Sequence, residues 1–324
     1  MKKRNITLFA FSALLLGGLS ACGNGGKTQI GILQFGGFDA LEKAKNGFLD
    51  VIKESKFKDR IDINVQNANA VGADNSTMAA TLSANSDLLY GIATPSAAAL
   101  KNAVDSLGVK TPVIFSAVTN PEGAKLLKEP SAPEGNCTGV VDIGPIEDEL
   151  RILTMFPDVD NIVSLYTSSE VNSVFQVEIA EEWMKDKGVT FSRKGIADAS
   201  QLSAAISSIG SEVDAVFLPT DDTIANAINV VKTANEARTD KLLIVGSDTG
   251  MIDGCTFSLS VDYYQCGKQA AEMAIKVLDG TPIKNIPVER CDKKDVVINK
   301  KEADALGIII PEEVLAIEGA KIIE

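Results

Sequence analysis

From about residue 30 onward, short apolar runs alternate with longer helical patterns. Ile30-Gly31-Ile32-Leu33-Gln34-Phe35 reads as a first, buried strand. A helix is expected after it from about Asp39 to Ser55, because Leu41, Ala44, Phe48, Leu49 and Ile52 fall on one face at intervals of three or four. Ile61-Asp62-Ile63-Asn64-Val65 alternates as a second strand, and a further helix is expected from about Asn75. Leu88 to Ala93 forms a third strand and Pro112 to Val118 a fourth. Such alternation predicts a parallel sheet with right-handed crossover connections.

The pattern then starts again. Asn161 to Tyr166 is strand-like, a helix is expected over Asn172 to Lys187, and Asp214 to Leu218 and Leu242 to Gly246 are further strands. In each half a strand–turn–helix unit follows the first strand by roughly 55–60 residues: Leu89-Tyr90-Gly91-Ile92-Ala93-Thr94-Pro95-Ser96 in one, Ala215-Val216-Phe217-Leu218-Pro219-Thr220-Asp221-Asp222 in the other. The expectation is an α/β protein of two similar, doubly wound, Rossmann-like lobes. In open parallel sheets the ligand site lies beyond the carboxyl ends of the strands, so two facing edges make a cleft able to close on a small solute. A late helix over Asp262 to Leu278 and an extended segment from Asn285 to Asn299 are the pieces left to join the lobes.

The first segment reads as an address. Lys2, Lys3 and Arg4 precede an apolar run, Ile6 to Leu19, that is below the ~18–20 residues needed to span a bilayer core. It ends in Leu19-Ser20-Ala21-Cys22, a lipobox-like sequence, so residues 1–21 are expected to be a lipoprotein signal peptide, with Cys22 lipidated and residues 22–27 a flexible tether. Cleavage there shifts the formal charge from −13 to −16, which disfavours nucleic acid as a partner. Histidine is absent, which removes Ser-His-Asp and Cys-His catalysis and His-ligated zinc. Cys137, Cys255, Cys266 and Cys291 match no metal-site spacing; free thiols and one or two bridges both remain open. No metal or cofactor is implied.

At these residues the chain resembles the type I periplasmic-binding fold, and more narrowly the TrpX-like group of ABC-importer lipoproteins that bind aromatic amino acids. The marks are Ile30 to Phe35, Ile92-Ala93-Thr94-Pro95, Ser116-Ala117-Val118-Thr119-Asn120-Pro121, Ser169-Glu170-Val171-Asn172-Ser173, Val216 to Thr223 and Val261-Asp262-Tyr263-Tyr264-Gln265, in order across the mature chain. The resemblance implies a three-stranded hinge, with one lobe of residues 28–141 plus 263–290 and another of 142–262 plus 291–324. It implies no enzyme but a monomeric binding protein at the outer face of a bacterial membrane, anchored by lipid alone, that hands an aromatic amino acid to a permease with a cytoplasmic ATPase. One departure bears on the ligand: similar proteins continue the first strand with Glu-His-Pro, whereas this chain has Gly36-Gly37-Phe38-Asp39. Another amino acid, a nucleoside or purine-like solute, or a ligand-sensing surface receptor are the alternatives.

Candidate ligand contacts lie at the strand ends. Gln34, Phe35 and Phe38 follow the first strand, with Gly36 and Gly37 leaving room for a flat ligand. Thr94-Pro95-Ser96 opens a helix, where a hydroxyl and free N–H groups hold a carboxylate as readily as they cap. Val118 and Thr119, then Ser168, Asn172 and Ser173, occupy comparable ends. Thr220-Asp221-Asp222 places two acids at a helix start, one suited to capping and the other to a cationic ammonium; Asp221 and Asp248 are the expected ammonium partners. A surface hydrolase using Asp221 and Asp222 is the rival reading, but acids on one turn are poorly placed to flank a substrate bond. Gly23 to Thr28 is not a phosphate loop, since Ala21 stands where the first glycine belongs.

Overall fold

The computed structural model describes residues 26–133 and 135–324, so the expected signal peptide and Cys22 lie outside the described residues. The first half runs β1 (Thr28–Gln34), α1 (Asp39–Glu54), β2 (Ile61–Asn67), α2 (Gly72–Asn85), β3 (Leu88–Ile92), α3 (Thr94–Leu107), β4 (Val113–Val118) and β5 (Cys137–Val141). The second runs α4 (Ile146–Leu153), β6 (Asn161–Thr167), α5 (Val171–Met184), β7 (Thr190–Ile196), α6 (Leu202–Ser207), β8 (Ala215–Leu218), α7 (Asp222–Asn226), α8 (Ile228–Glu236), β9 (Leu243–Gly246) and β10 (Phe257–Val261). The tail adds α9 (Tyr263–Leu278), β11 (Glu289–Arg290), β12 (Lys294–Asn299), α10 (Lys300–Leu306), α11 (Glu312–Leu315) and β13 (Lys321–Ile323).

One sheet has the order β11-β5-β4-β3-β1-β2, the other β13-β12-β10-β9-β8-β6-β7. Within each, the first five strands of the half take the same order, so the self-similarity in the sequence is a repeat of one doubly wound unit. Pairing is parallel except between β10 and β12. The central strands β3 and β4 are buried throughout, as helices on both faces require. The edge strands β2 and β7 carry mostly polar, partly exposed residues.

The tail does not stay with one sheet. β11 pairs with β5, while β12 pairs with β10, so the expected extended segment from Asn285 to Asn299 divides between the two lobes. Likewise, Tyr263, Cys266, Ala270 and Met273 of α9 join the core of the first lobe with Leu41, Ala44 and Phe48 of α1. The chain therefore crosses between lobes three times, at residues 142–145, 262 and 291–293. The crossings are laced together: Cys291 N–H donates to Val141 O (3.1 Å) and Asp262 N–H to Lys293 O (2.7 Å).

Helices α1 and α9 approach at backbone distance. A Cβ on Gly47 would sit 2.1 Å from Tyr264 O, and one on Gly267 would sit 1.9 Å from Ala44 O. Next to this contact the Phe48 and Tyr90 rings stack at 4.1 Å. Gly267→Ala is thus expected to force the helices apart and destabilise the protein by about 1–3 kcal/mol or more. Denaturant unfolding measures this; an unchanged midpoint would mean that α9 is not seated on α1 as described.

Candidate functional site

Each sheet reverses its winding between its first and third strands, at β1/β3 and at β6/β8, and the strand ends there are where such folds place ligands. In the first lobe Gln34 is fully buried at the end of β1; its Nε2 donates to Gly36 O (2.6 Å) and Glu42 Oε1 (2.7 Å), while its Oε1 has no partner. Phe35 and Val118 turn into the first lobe's core. Phe38 does something different: half-buried, it packs against the cores of both lobes. Its ring lies over Gly36, where a Cβ would meet it at 2.7 Å.

The neighbouring ends of β3 and β4 are strained. Ala93 (φ 80°) and Ala117 (φ 53°) hold left-handed backbone without being glycine, at a cost of about 1–3 kcal/mol each, a signature common at ligand sites. The turn at Ala93 leads directly into α3, with Thr94 buried and Pro95 in the first turn. Ser96 spends its hydroxyl on Asn75 Oδ1 (2.8 Å), stitching α3 to α2. Thr119 donates to Asp142 Oδ1 (2.9 Å), and Tyr263 donates to the other oxygen of that carboxylate (3.1 Å). Asp142 lies in the first crossing and was not among the residues expected from sequence.

In the second lobe the two adjacent acids separate by role. Asp221 caps α7 and accepts from Ile224 N–H (2.9 Å), Thr167 N–H (2.6 Å), Thr167 Oγ1 (2.9 Å) and Ser173 Oγ (2.8 Å). Its carboxylate is fully engaged inside the lobe, so the capping role falls to Asp221 and not to its neighbour. Asp222 is buried, yet no donor among the described residues reaches its carboxylate. Around the pair, Asn172 Nδ2 donates to Thr220 O (2.9 Å), Gln176 holds Thr220 N–H (3.2 Å), and Glu170 accepts from Asp222 N–H (2.8 Å) and Thr223 N–H (2.9 Å). Ser168 stays exposed and lines a cavity of about 210 Å³ with Asn120 of the first lobe and Val171 and Phe175 of the second. Asp248 caps the turn after β9, accepting from Gly250 N–H (2.7 Å).

These rims face each other. Gly250 of the second lobe lies beside the Ala40 backbone of α1, and Lys43 of α1 reaches both Asp39 (2.6 Å) and, across the gap, Asp295 (3.9 Å). Burial pushes Asp222 far above the usual carboxylate range, and the negative charges of Glu170, Asp221, Asp142 and Asp248 push it further. Burial raises Asp248 to about 7 against the pull of Gly250 N–H and Lys43, and raises Asp142 as well. Glu170 rises to about 7 from burial and then from Asp221. The seam between the lobes is thus lined by buried acids whose burial favours the protonated form, with Lys43 acting on Asp248. It suits a guest that brings its own cation.

Two like-built lobes, three linking crossings and a polar seam define a hinged solute-binding protein. The chain belongs to the ABC transporter substrate binding protein family, whose model matches residues 29–322. Proteins of this family are the extracytoplasmic binding components of ABC transporters and not enzymes. A relative from Clostridioides difficile (strain R20291), "Tyrosine-binding protein", is 35% identical over 286 residues, 86% of this chain and 81% of the relative. Among solved structures, an ABC domain in complex with L-Trp from Streptococcus pneumonia is 34% identical with a TM-score of 0.83, covering 91% of this chain and all of that one (100%). A ligand-free, open substrate-binding protein with adhesive properties from Clostridium difficile is 29% identical with a TM-score of 0.70, covering 92% of this chain and 99% of that one. The two parallel-sheet lobes are those of the type I periplasmic-binding fold.

Glu149 is a further group that the sequence reading passed over. It sits on the apolar face of α4 beside Ile146, Leu150 and Leu153, fully buried, with Oε2 accepting from Ser247 Oγ and Oε1 unpartnered. Burial raises it from 4.5 to about 8. The folded protein therefore holds a proton that the unfolded chain releases above pH 4.5, so stability is full below that value and falls as pH rises towards 8. One such group contributes a slope of at most about 1.4 kcal/mol per pH unit. Glu149→Gln is expected to flatten the loss of stability across this window; denaturant titrations with the wild-type slope would show that Glu149 is not the titrating group.

Proposed function

We propose that this protein captures a free amino acid with an aromatic side chain between its two strand-end rims and delivers it to the permease of an ABC importer. The observation that carries the reading is Asp222, a buried carboxylate without a hydrogen-bond donor, set among other carboxylates. An α-ammonium group placed there supplies the missing charge and donors. The amides opening α3 at Thr94-Pro95-Ser96, with Thr119 and Asn172 nearby on their own strand ends, suit the carboxylate of the same ligand. Phe38, which touches both lobes, offers a flat apolar face to an aromatic ring.

The ligands named for the relatives, tyrosine and L-Trp, support this class of guest. On this reading the lobes are residues 28–141 plus 263–290 and 142–262 plus 291–324, turning about the three crossings. A ligand that contacts both rims binds the closed state more tightly and so selects it. The protein works as a monomer held at the membrane by lipid on Cys22, since Leu19-Ser20-Ala21-Cys22 has the small residues that lipidation requires. Gly36-Gly37-Phe38-Asp39 at the first rim favours, as the second reading, another amino acid or a purine-like solute.

Protein stripped of ligand by unfolding and refolding, then titrated calorimetrically with tryptophan, tyrosine and phenylalanine, should bind at least one of them. Asp222→Asn should weaken that binding about 10- to 100-fold, the worth of a charge-assisted bond. The corresponding arylpropionate, which lacks the ammonium, should bind wild type no better than the amino acid binds Asp222→Asn. No heat and no thermal shift with any of the three at millimolar concentration would overturn the aromatic assignment.

A further inference from the structure

The four cysteines of the described chain are buried free thiols, but they are not equivalent. Cys137 lies in the cluster with Leu100 and Phe115 on one face of the first sheet, and Cys255 lies beside Met251 in the second lobe. Cys266 and Cys291 share the remaining first-lobe cluster. One carbonyl joins them: Asp262 O accepts from Cys266 N–H at 3.0 Å and from the Cys291 thiol at 3.5 Å. The backbone around that carbonyl brings the start of α9 and the Cys291 side chain together in one cluster.

We propose that Cys266 and Cys291 form a disulfide when the chain folds under oxidising conditions, and that Cys137 and Cys255 stay reduced. Each thiol gives up its hydrogen; an S–S bond forms, two protons are released, and two electrons pass to a disulfide oxidant, which leaves as two thiols. Either thiolate attacks the oxidant, and the other then resolves the mixed disulfide. Both sulfurs are sealed in the folded core, at 0% and 1% exposure, so oxidation precedes the final docking of α9.

The position gives the bond a mechanical role. Cys266 is in the first turn of α9, just past the second crossing, and Cys291 opens the third. Its backbone is already bonded to Val141, just ahead of the first crossing. A bond there staples two of the three crossings on the first-lobe side and leaves the second-lobe side free, which moves the pivot towards the second lobe.

The test uses the full chain carrying Cys22→Ser, refolded from guanidinium in a buffer of reduced glutathione and its disulfide, then denatured and labelled with a maleimide. Two adducts are expected, not four, and peptide mapping should find the segments holding Cys266 and Cys291 linked. Cys266→Ser should take three adducts and Cys137→Ser one. Four adducts on the wild-type sequence, or a linkage that includes Cys137 or Cys255, would overturn the proposal. No amino acid is present in this assay, so its outcome is independent of the ligand assignment.

Discussion

Acidic side chains withdrawn from water at the seam between the lobes are the constraint on which the rest of the site depends. A carboxylate moved out of water costs several kcal/mol unless it is paired, protonated or fully hydrogen-bonded. Hydrogen bonding answers that cost at three of these residues. Asp221 is saturated with donors, Glu170 is anchored on the turn that opens α7, and Asp142 is held by Thr119 and Tyr263. Among the described residues of this group, Asp222 alone has no donor on its carboxyl.

The frame that carries this seam is stiff on one side. The glycine-mediated contact of α1 with α9 locks the helix after the second crossing to the helix that presents Lys43 and follows Phe38. The short linking segments are hydrogen-bonded to one another, which keeps them in register.

Much of the architecture was legible because buried strands write their burial into composition. β1, β3, β4, β6, β8 and β9 are nearly continuous apolar runs, and the offset between the halves exposed the repeat. β7, Thr190 to Ile196, was missed since an edge strand of Thr, Ser, Arg and Lys has no hydrophobic period to read. The assignment of α9 to the first lobe rests on contacts more than 200 residues apart in sequence, such as Tyr264 with Asp50, which no local pattern encodes. At the site, the strand-end positions were readable but not the division of labour. Asp221 and Asp222 look alike in sequence, and only the donors that fold around one of them distinguish the pair. Glu149 did leave a trace, as a lone acid on the apolar stripe of α4. Asp142 left none.

The seating of α9 in the core beside α1 has a consequence for how the molecule comes into being. A chain emerging amino end first has made every strand but one of its leading sheet by residue 141, yet the hydrophobic face under α1 stays uncovered until residue 278 has appeared. The leading lobe cannot complete itself early and wait for its partner; both must mature together, near the end of synthesis or translocation. That delay keeps the polypeptide pliable through most of its passage, and it makes the last quarter of the chain the point at which folding is decided.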